Sequence, residues 1–79
     1  MSKNFEIKNG DIFDIGQTIN GVDKFVWIGG KWCYYHPEID REYEYGQNEL
    51  TNLIYSEILS YGEDSDCQWI GNVFSLLPN

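Results

Sequence analysis

Two adjacent glycines in mid-chain constrain this sequence more than any other feature. Gly29-Gly30 separates Lys24-Phe25-Val26-Trp27-Ile28 from Lys31-Trp32-Cys33-Tyr34-Tyr35, two runs rich in β-branched and aromatic residues. A two-residue loop that tolerates positive φ at both positions closes a hairpin through a primed turn. That loop also sets the register. Phe25 faces Tyr34 and Trp27 faces Trp32 on one side; Val26 faces Cys33, Ile28 faces Lys31 and Lys24 faces Tyr35 on the other. Cross-strand aromatic pairs reinforce such a register. Both faces of this hairpin are apolar, so the rest of the chain, or a partner, has to cover them.

The same logic places further elements. Asn4–Lys8 and Asp11–Ile15 read as two short strands around the hairpin dipeptide Asn9-Gly10, and Asn20-Gly21 is a third turn ahead of the central hairpin. Pro37 ends the strand that begins at Lys31. Beyond it, Asp40-Arg41-Glu42-Tyr43-Glu44-Tyr45 alternates as a half-buried strand does, tyrosines on one face and acids on the other. Leu50, Leu53, Ile54, Ile58 and Tyr61 recur at helical spacing and form an apolar stripe, with Glu49, Asn52, Ser56 and Ser60 opposite. Asn48 is the expected N-cap, Glu49 suits the positive end of the helix dipole and Gly62 suits the C′ position. After an acidic loop, Glu63–Asp66, the stretch Cys67–Leu77 is apolar enough for a final buried strand or strand pair interrupted at Gly71-Asn72. The order predicts an α+β domain, a small antiparallel sheet of about five strands with one amphipathic helix packed on it. A small open barrel with the helix plugging one end is the alternative.

Length matters here because 79 residues make one domain and bury a limited core. Three Trp, six Tyr and four Phe supply that core with unusually large side chains. Met1-Ser2-Lys3-Asn4 leads into mixed sequence with no apolar stretch of signal-peptide or membrane-spanning length, so the cytoplasm is the expected compartment. Cys33 and Cys67 fit it as small buried hydrophobes; a disulfide between them would need an oxidising environment.

The net charge is −8, and its placement is more telling than its size. Residues 1–37 balance Glu6, Asp11, Asp14 and Asp23 against Lys3, Lys8, Lys24 and Lys31. Residues 38–66 set nine acids against Arg41 alone, and residues 67–79 carry no charged side chain. A field of this sign repels phosphate backbones and anionic membranes and attracts basic surfaces. Neither direct nucleic-acid binding nor membrane binding is therefore expected.

Glu38, Asp40, Glu42 and Glu44 stand two apart. On a strand they would leave one face about 6.6 Å apart, a step comparable with that between phosphates along one nucleic-acid strand. With Glu63, Asp64 and Asp66 they form the candidate docking surface, to which Tyr43, Tyr45 and Tyr55 would add short-range contact. The bland reading of the same residues is a solvated face that keeps a small protein soluble. The aromatic face formed by Phe25, Trp27, Trp32 and Tyr34 is a second candidate surface, although in a domain of this size such residues more often make the core.

Other chemistry is thinly supported. Cys33-x-x-His36 with Asp66 and Cys67 lacks the paired spacing of a zinc ribbon, and positions 33 and 36 leave opposite faces of a strand. His36, the sole histidine, falls opposite Asp23 by the hairpin register, a structural arrangement. No nucleophile elbow, phosphate loop or dinucleotide fingerprint occurs. The expectation is a non-catalytic binding protein without cofactor or metal. Its acidic 38–66 surface would dock on a basic, nucleic-acid-handling protein, as an inhibitor or modulator and in the manner of a DNA mimic. Small acidic α+β proteins are common among phage-encoded inhibitors of host enzymes, an analogy of class and not a match of residues. The alternative is a structural or oligomerising subunit, a homodimer for example, that uses an apolar sheet face.

Overall fold

A computed structural model describes residues 5–36, 38–44 and 46–75. The chain forms β1 (Asp11–Ile19), β2 (Val22–Ile28), β3 (Lys31–Tyr35) and β4 (Ile39–Glu42), then helix α1 (Gln47–Tyr61), a 3-10 turn (Gly62–Asp64) and β5 (Gln68–Asn72). The strands make one antiparallel sheet in the order β4-β3-β2-β1-β5, with β4 and β5 at its edges. It is an α+β domain, and the sheet does not close into a barrel.

The central hairpin has the register its turn demands: Phe25 pairs with Tyr34, Val26 with Cys33, Trp27 with Trp32 and Ile28 with Lys31. Gly29 and Gly30 have φ of 62° and 80°, the signature of a primed turn. Asn20-Gly21 repeats the device between β1 and β2, with φ of 55° and 82°. Both turns have open space where a glycine Cβ would sit, and each is also tied to the chain by one side chain: the Gly29 N–H donates to Asn9 Oδ1 at 2.9 Å and Asn20 Nδ2 donates to the Tyr34 hydroxyl.

One face of the sheet carries the core. Phe13, Ile15, Phe25, Trp32, Tyr34, Tyr43 and Cys67 pack with Leu50 and Ile54 of α1. The aromatic face of the hairpin is thus interior: Phe25 and Trp32 are fully buried and Tyr34 nearly so, while Trp27 is half-buried. The buried polar ends find partners. Trp32 Nε1 donates to Thr51 Oγ1 at 2.8 Å, and the Tyr34 hydroxyl accepts from Asn20 Nδ2 at 2.8 Å. Trp32 also stacks edge-on against Phe13 and Trp27. By strand alternation Ile12, Val26 and Cys33 lie on the opposite face, where Ile12 and Val26 are also buried.

Several expectations fail for identifiable reasons. Residues 5–8 form no strand, and Asn4 lies outside the described residues. The Asn9-Gly10 turn is present, but Phe5 turns its ring onto Phe13 and Tyr55, and the Ile7 N–H donates to the Tyr55 hydroxyl at 3.3 Å. The edge of β1 is instead taken by β5, whose Trp69 pairs with Phe13. The half-buried strand over 40–45 is shorter than its alternation suggests, since β4 ends at Glu42 and all four of its residues are exposed. Pro37, read as a strand terminator, lies outside the described residues. Asn48 does not cap α1; the helix begins two residues earlier than that cap implies, with Gly46 in the capping position and no side-chain cap.

The reason for the earlier start is Gln47. Its Oε1 accepts from the Trp32 N–H at 2.6 Å and its Nε2 donates to the Trp32 carbonyl at 2.9 Å and to the Tyr43 carbonyl. A side-chain amide thereby does what a further residue of β4 would do, and the first turn of α1 is tied to β3.

At its other end α1 stops as expected, with the Gly62 N–H donating to the Ile58 carbonyl. Tyr61 is not part of the buried stripe, being 60 % exposed. Nor is the C-terminal strand interior: Gln68, Trp69 and Ile70 are exposed, Gly71 lies within the strand, and Leu76 and Leu77 lie outside the described residues. Gly16 holds β5 and β1 close at a bulge in β1. A Cβ at this position would sit 2.6 Å from the Asp66 carbonyl oxygen, so no side chain fits there.

Candidate functional site

The acidic segment 38–66 does not form one continuous row. Tyr35 pairs with Ile39 and Cys33 with Glu42, so two residues, Asp40 and Arg41, stand opposite Tyr34. This bulge breaks the two-residue step between Asp40 and Glu42. It also places the Arg41 guanidinium over the Tyr34 ring, 4.8 Å from its centroid.

Both acids inside β4 are engaged. Glu42 lies with Cys33 on the face away from α1, where it meets Lys31 Nζ at 3.2 Å. Asp40 meets His36 Nε2 at 2.9 Å and Arg41 at 3.6 Å. The hydrogen bond from His36, followed by the Arg41 backbone N–H, draws the Asp40 carboxyl below the ordinary carboxylate range. The partner of His36 is therefore Asp40 rather than Asp23; the His36 backbone N–H also donates to the Glu38 carbonyl, at 3.1 Å, on the side of β4. Asp23 pairs with Lys24, which also reaches Asp14 across β1 and β2. Glu38 and Glu44 flank β4, exposed and without a cationic partner among the described residues.

The second cluster is different. Glu57, Glu63, Asp64 and Asp66 gather where α1 ends, and no base lies in the last turn of the helix. The helix terminus adds its own partial negative charge there. Glu57 is half-buried and organises the loop, its Oε1 accepting from the Ser65 hydroxyl at 3.4 Å and from the Asp66 N–H at 3.3 Å. Glu63, Asp64 and Asp66 point to solvent. Glu49, at the first turn of α1, is exposed on the same side of the sheet.

The charges thus separate by face. The ion pairs joining neighbouring strands, Lys24–Asp14 and Lys31–Glu42, lie away from α1 by strand alternation, whereas Glu49, Glu63, Asp64 and Asp66, unpaired among the described residues, lie along α1 and at its end, and Glu38 and Glu44 remain unpaired beside β4. Sequence spacing drew attention to the row on β4, and the structure moves the weight of the field to the helix terminus. Glu57 was missed as a member of this cluster; its place just ahead of Glu63–Asp66 on the helix was the available signal.

The tyrosines expected beside the acids are mostly committed elsewhere. Tyr43 is 9 % exposed and packs its ring on Phe25 and Tyr34, so it offers no contact surface. Tyr55 is half-buried against Phe5 and its hydroxyl accepts the Ile7 N–H. Tyr45 lies outside the described residues.

Both cysteines are free thiols. Cys67 lies in the core beside α1 and Cys33 on the opposite face, so the sheet separates them. Burial pushes the Cys67 thiol up to about 11, and the neighbouring carboxylates of Glu57 and Asp66 add to the effect. Cys67 lines two recesses, one of about 130 Å³ with Ile15, Gly16, Gln17, Leu53, Glu57 and Asp66, and a shallower one of about 290 Å³ with Phe5, Ile58, Gly62, Glu63, Gln68 and Trp69; the first is well below, and the second at the lower limit of, the roughly 300–1,000 Å³ of small-molecule pockets. Among the described residues, no group of three or more His, Cys, Asp or Glu side chains is placed to hold a metal ion. No described helix is long and apolar enough to cross a membrane. No protein-family model matches the chain, and no curated protein or solved structure is significantly similar to it.

Proposed function

We propose that this is a non-catalytic, cytoplasmic binding protein whose acidic 38–66 segment docks on a basic surface of another protein, of the kind that handles nucleic acid, and blocks or modulates it. The observation that carries the reading is the cluster of Glu57, Glu63, Asp64 and Asp66 at the negative end of α1 with no base in the helix's last turn. Like charges held together cost stability unless something is gained by them. A basic partner supplies that gain, first as long-range steering and then as charge-assisted contact. The reading rests on this field and not on a phosphate-like row, because the bulge between Tyr35 and Cys33 pairings interrupts the spacing on β4.

The test compares two sets of neutral substitutions. Glu63→Gln, Asp64→Asn and Asp66→Asn together should leave the fold intact and slow association with the captured partner by roughly tenfold at low ionic strength. The difference should shrink as salt rises, because a Debye length falls from ~10 Å at 0.1 M to ~3 Å at 1 M. Glu38→Gln, Asp40→Asn, Glu42→Gln and Glu44→Gln together should have a smaller effect, since Asp40 and Glu42 are already paired. The control is Glu6→Gln with Asp23→Asn; Asp11 is unsuitable because its carboxylate is buried and accepts from Trp69 and Asn72. Partners come from a lysate pull-down read by mass spectrometry at low and high salt. Equal losses from all three sets would show that total charge governs binding, and unchanged association in the first set would end the proposal.

A further inference from the structure

Both edges of the sheet are short and bulged, and they differ in charge. An exposed edge is a row of unpaired backbone groups, and natural sheets usually guard such edges with charge, brevity or bulges. The β4 edge has all three: it is four residues long, it is interrupted opposite Tyr34, and it carries Asp40, Arg41 and Glu42 between Glu38 and Glu44. The β5 edge has no charged side chain at all, and it displays Trp69 at 55 % and Ile70 at 45 % exposure, with Phe74 at 52 % just beyond. Ile70 is the extra residue between the Phe13–Trp69 and Ile12–Gly71 pairings, so its side chain answers to no cross-strand partner.

The ends of this neutral edge are oppositely charged. At the Gln68 end lies the acidic turn, tied to the strand by Gln68 Nε2, which donates to the Ser65 carbonyl at 2.6 Å and the Glu63 carbonyl at 3.4 Å. At the Asn72 end lies Lys8, one residue from Asn9, whose carbonyl accepts from Asn72 Nδ2 at 2.9 Å. Lys8 is exposed and makes no ion pair among the described residues, unlike Lys24, Lys31 and Arg41.

We infer that β5 is the surface through which two copies of this chain pair, edge to edge and antiparallel, with Lys8 of each copy against Glu63, Asp64 and Asp66 of the other. Antiparallel pairing about a two-fold axis brings the Gln68 end of one strand to the Asn72 end of its mate, so opposite charges meet at both ends. Parallel pairing would set acids on acids. A chain of net charge −8 repels its own copy through every other acidic surface, which leaves the uncharged edge as the route of approach. The edge is self-complementary, and this is why a second copy fits it better than an unrelated basic strand, which would find no acid in its middle. Five residues span only about 17 Å, so the interface is small and the dimer is concentration-dependent. The pairing is independent of the basic partner proposed above.

Sedimentation velocity of the full chain tests it. The mass should rise from 9.2 kDa at a few micromolar toward twice that value at several hundred micromolar. Ile70→Lys, which puts two like charges across the axis, should weaken the dimer by at least roughly tenfold. Lys8→Glu should do the same through an exposed side chain outside the sheet, and Lys8→Glu with Asp64→Lys should restore association, because the compensating charge acts in trans. A 9.2 kDa species at every concentration would overturn the inference. So would a Lys8→Glu protein that associates as well as the parent, or an Ile70→Lys protein that melts normally and still dimerises fully. A β5 edge that binds some other strand while the chain stays monomeric would overturn it too.

Discussion

Trp32→Ala is expected to remove roughly half of the stability of the fold. The ring is fully buried, and it stacks on Phe13 and Trp27 at centroid distances of 5.9 and 5.0 Å. Truncating a buried aromatic ring costs about 3–5 kcal/mol, from lost transfer energy and the cavity left behind. A domain of this length has roughly 4–12 kcal/mol of stability in all. Two further effects push the loss toward the upper end. The Thr51 hydroxyl loses the indole N–H that it accepts, and the helix loses its central contact with β3. Trp27→Ala should cost distinctly less, because that ring is half-buried at the rim. Urea titrations followed by far-ultraviolet circular dichroism separate the two. Parent-like midpoints for Trp32→Ala would mean that the core is not centred on this ring.

Gln47→Glu is the second large effect, and it comes with a pH signature. In the native protein the amide group of Gln47 accepts from one backbone N–H and donates to the carbonyls of Trp32 and Tyr43. A carboxylate keeps the acceptor and loses the donor, so both carbonyls face an oxygen lone pair, although that of Trp32 still accepts from the Tyr43 N–H at 2.9 Å. A buried polar group left without its partner costs about 1–3 kcal/mol, and the charge adds to this; a loss of roughly 3 kcal/mol at pH 7 is expected. The introduced carboxyl is then harder to ionise in the folded state than in the unfolded chain, where such groups titrate near 4.3. Its folded pKa is raised. The protonated acid can donate again, so the penalty is full above the raised value and fades as the pH falls toward the unfolded value. Gln47→Ala should show a loss with no such pH dependence. The check is the difference in urea midpoint from the parent at pH 7 and at pH 4.5. A Gln47→Glu deficit that is equal at both would remove the amide from its assigned role.

Gln47 also marks the limit of what the sequence discloses. Turn chemistry is local: Gly29-Gly30 and Asn20-Gly21 take positive φ whatever surrounds them, and the register of the central hairpin follows from the loop length. The helix is legible for a similar reason, since Leu50 and Ile54 lie one turn apart and face the same side. Side-chain amides that stand in for backbone carry no periodic signal, and nothing about Gln47 distinguishes it from a solvent-exposed glutamine. The alternation across 40–45 is real in the sequence, but the bulge opposite Tyr34 and the burial of Tyr43 depend on where β3 and α1 lie. Likewise Phe5 and Ile7 suit a strand in composition, and β5 takes the edge that they would have occupied. The acidic segment was visible as composition; its division into a paired set on β4 and an unpaired set at the end of α1 depends on Lys31 of β3 and on His36 just beyond it, which the fold brings to Glu42 and Asp40.

The sheet order has a consequence for the sequence of events in folding. Strands β1 to β3 join by two-residue turns and β4 follows after a short connection, so the β1–β4 meander assembles from neighbours. β5 alone returns from beyond the helix to pair with the strand farthest from it along the chain, Trp69 meeting Phe13. Closing that long loop costs roughly 2 kcal/mol more than closing a hairpin, and it is repaid only once α1 has docked. The last strand to arrive is also the first to leave, since β5 is paired on one side and holds few buried side chains. Native-state amide exchange on a dilute sample should show it: protection in β5 well below that in β2, and a partly open form that retains the meander and the helix. Equal protection in the two strands would mean that the whole sheet opens as one unit.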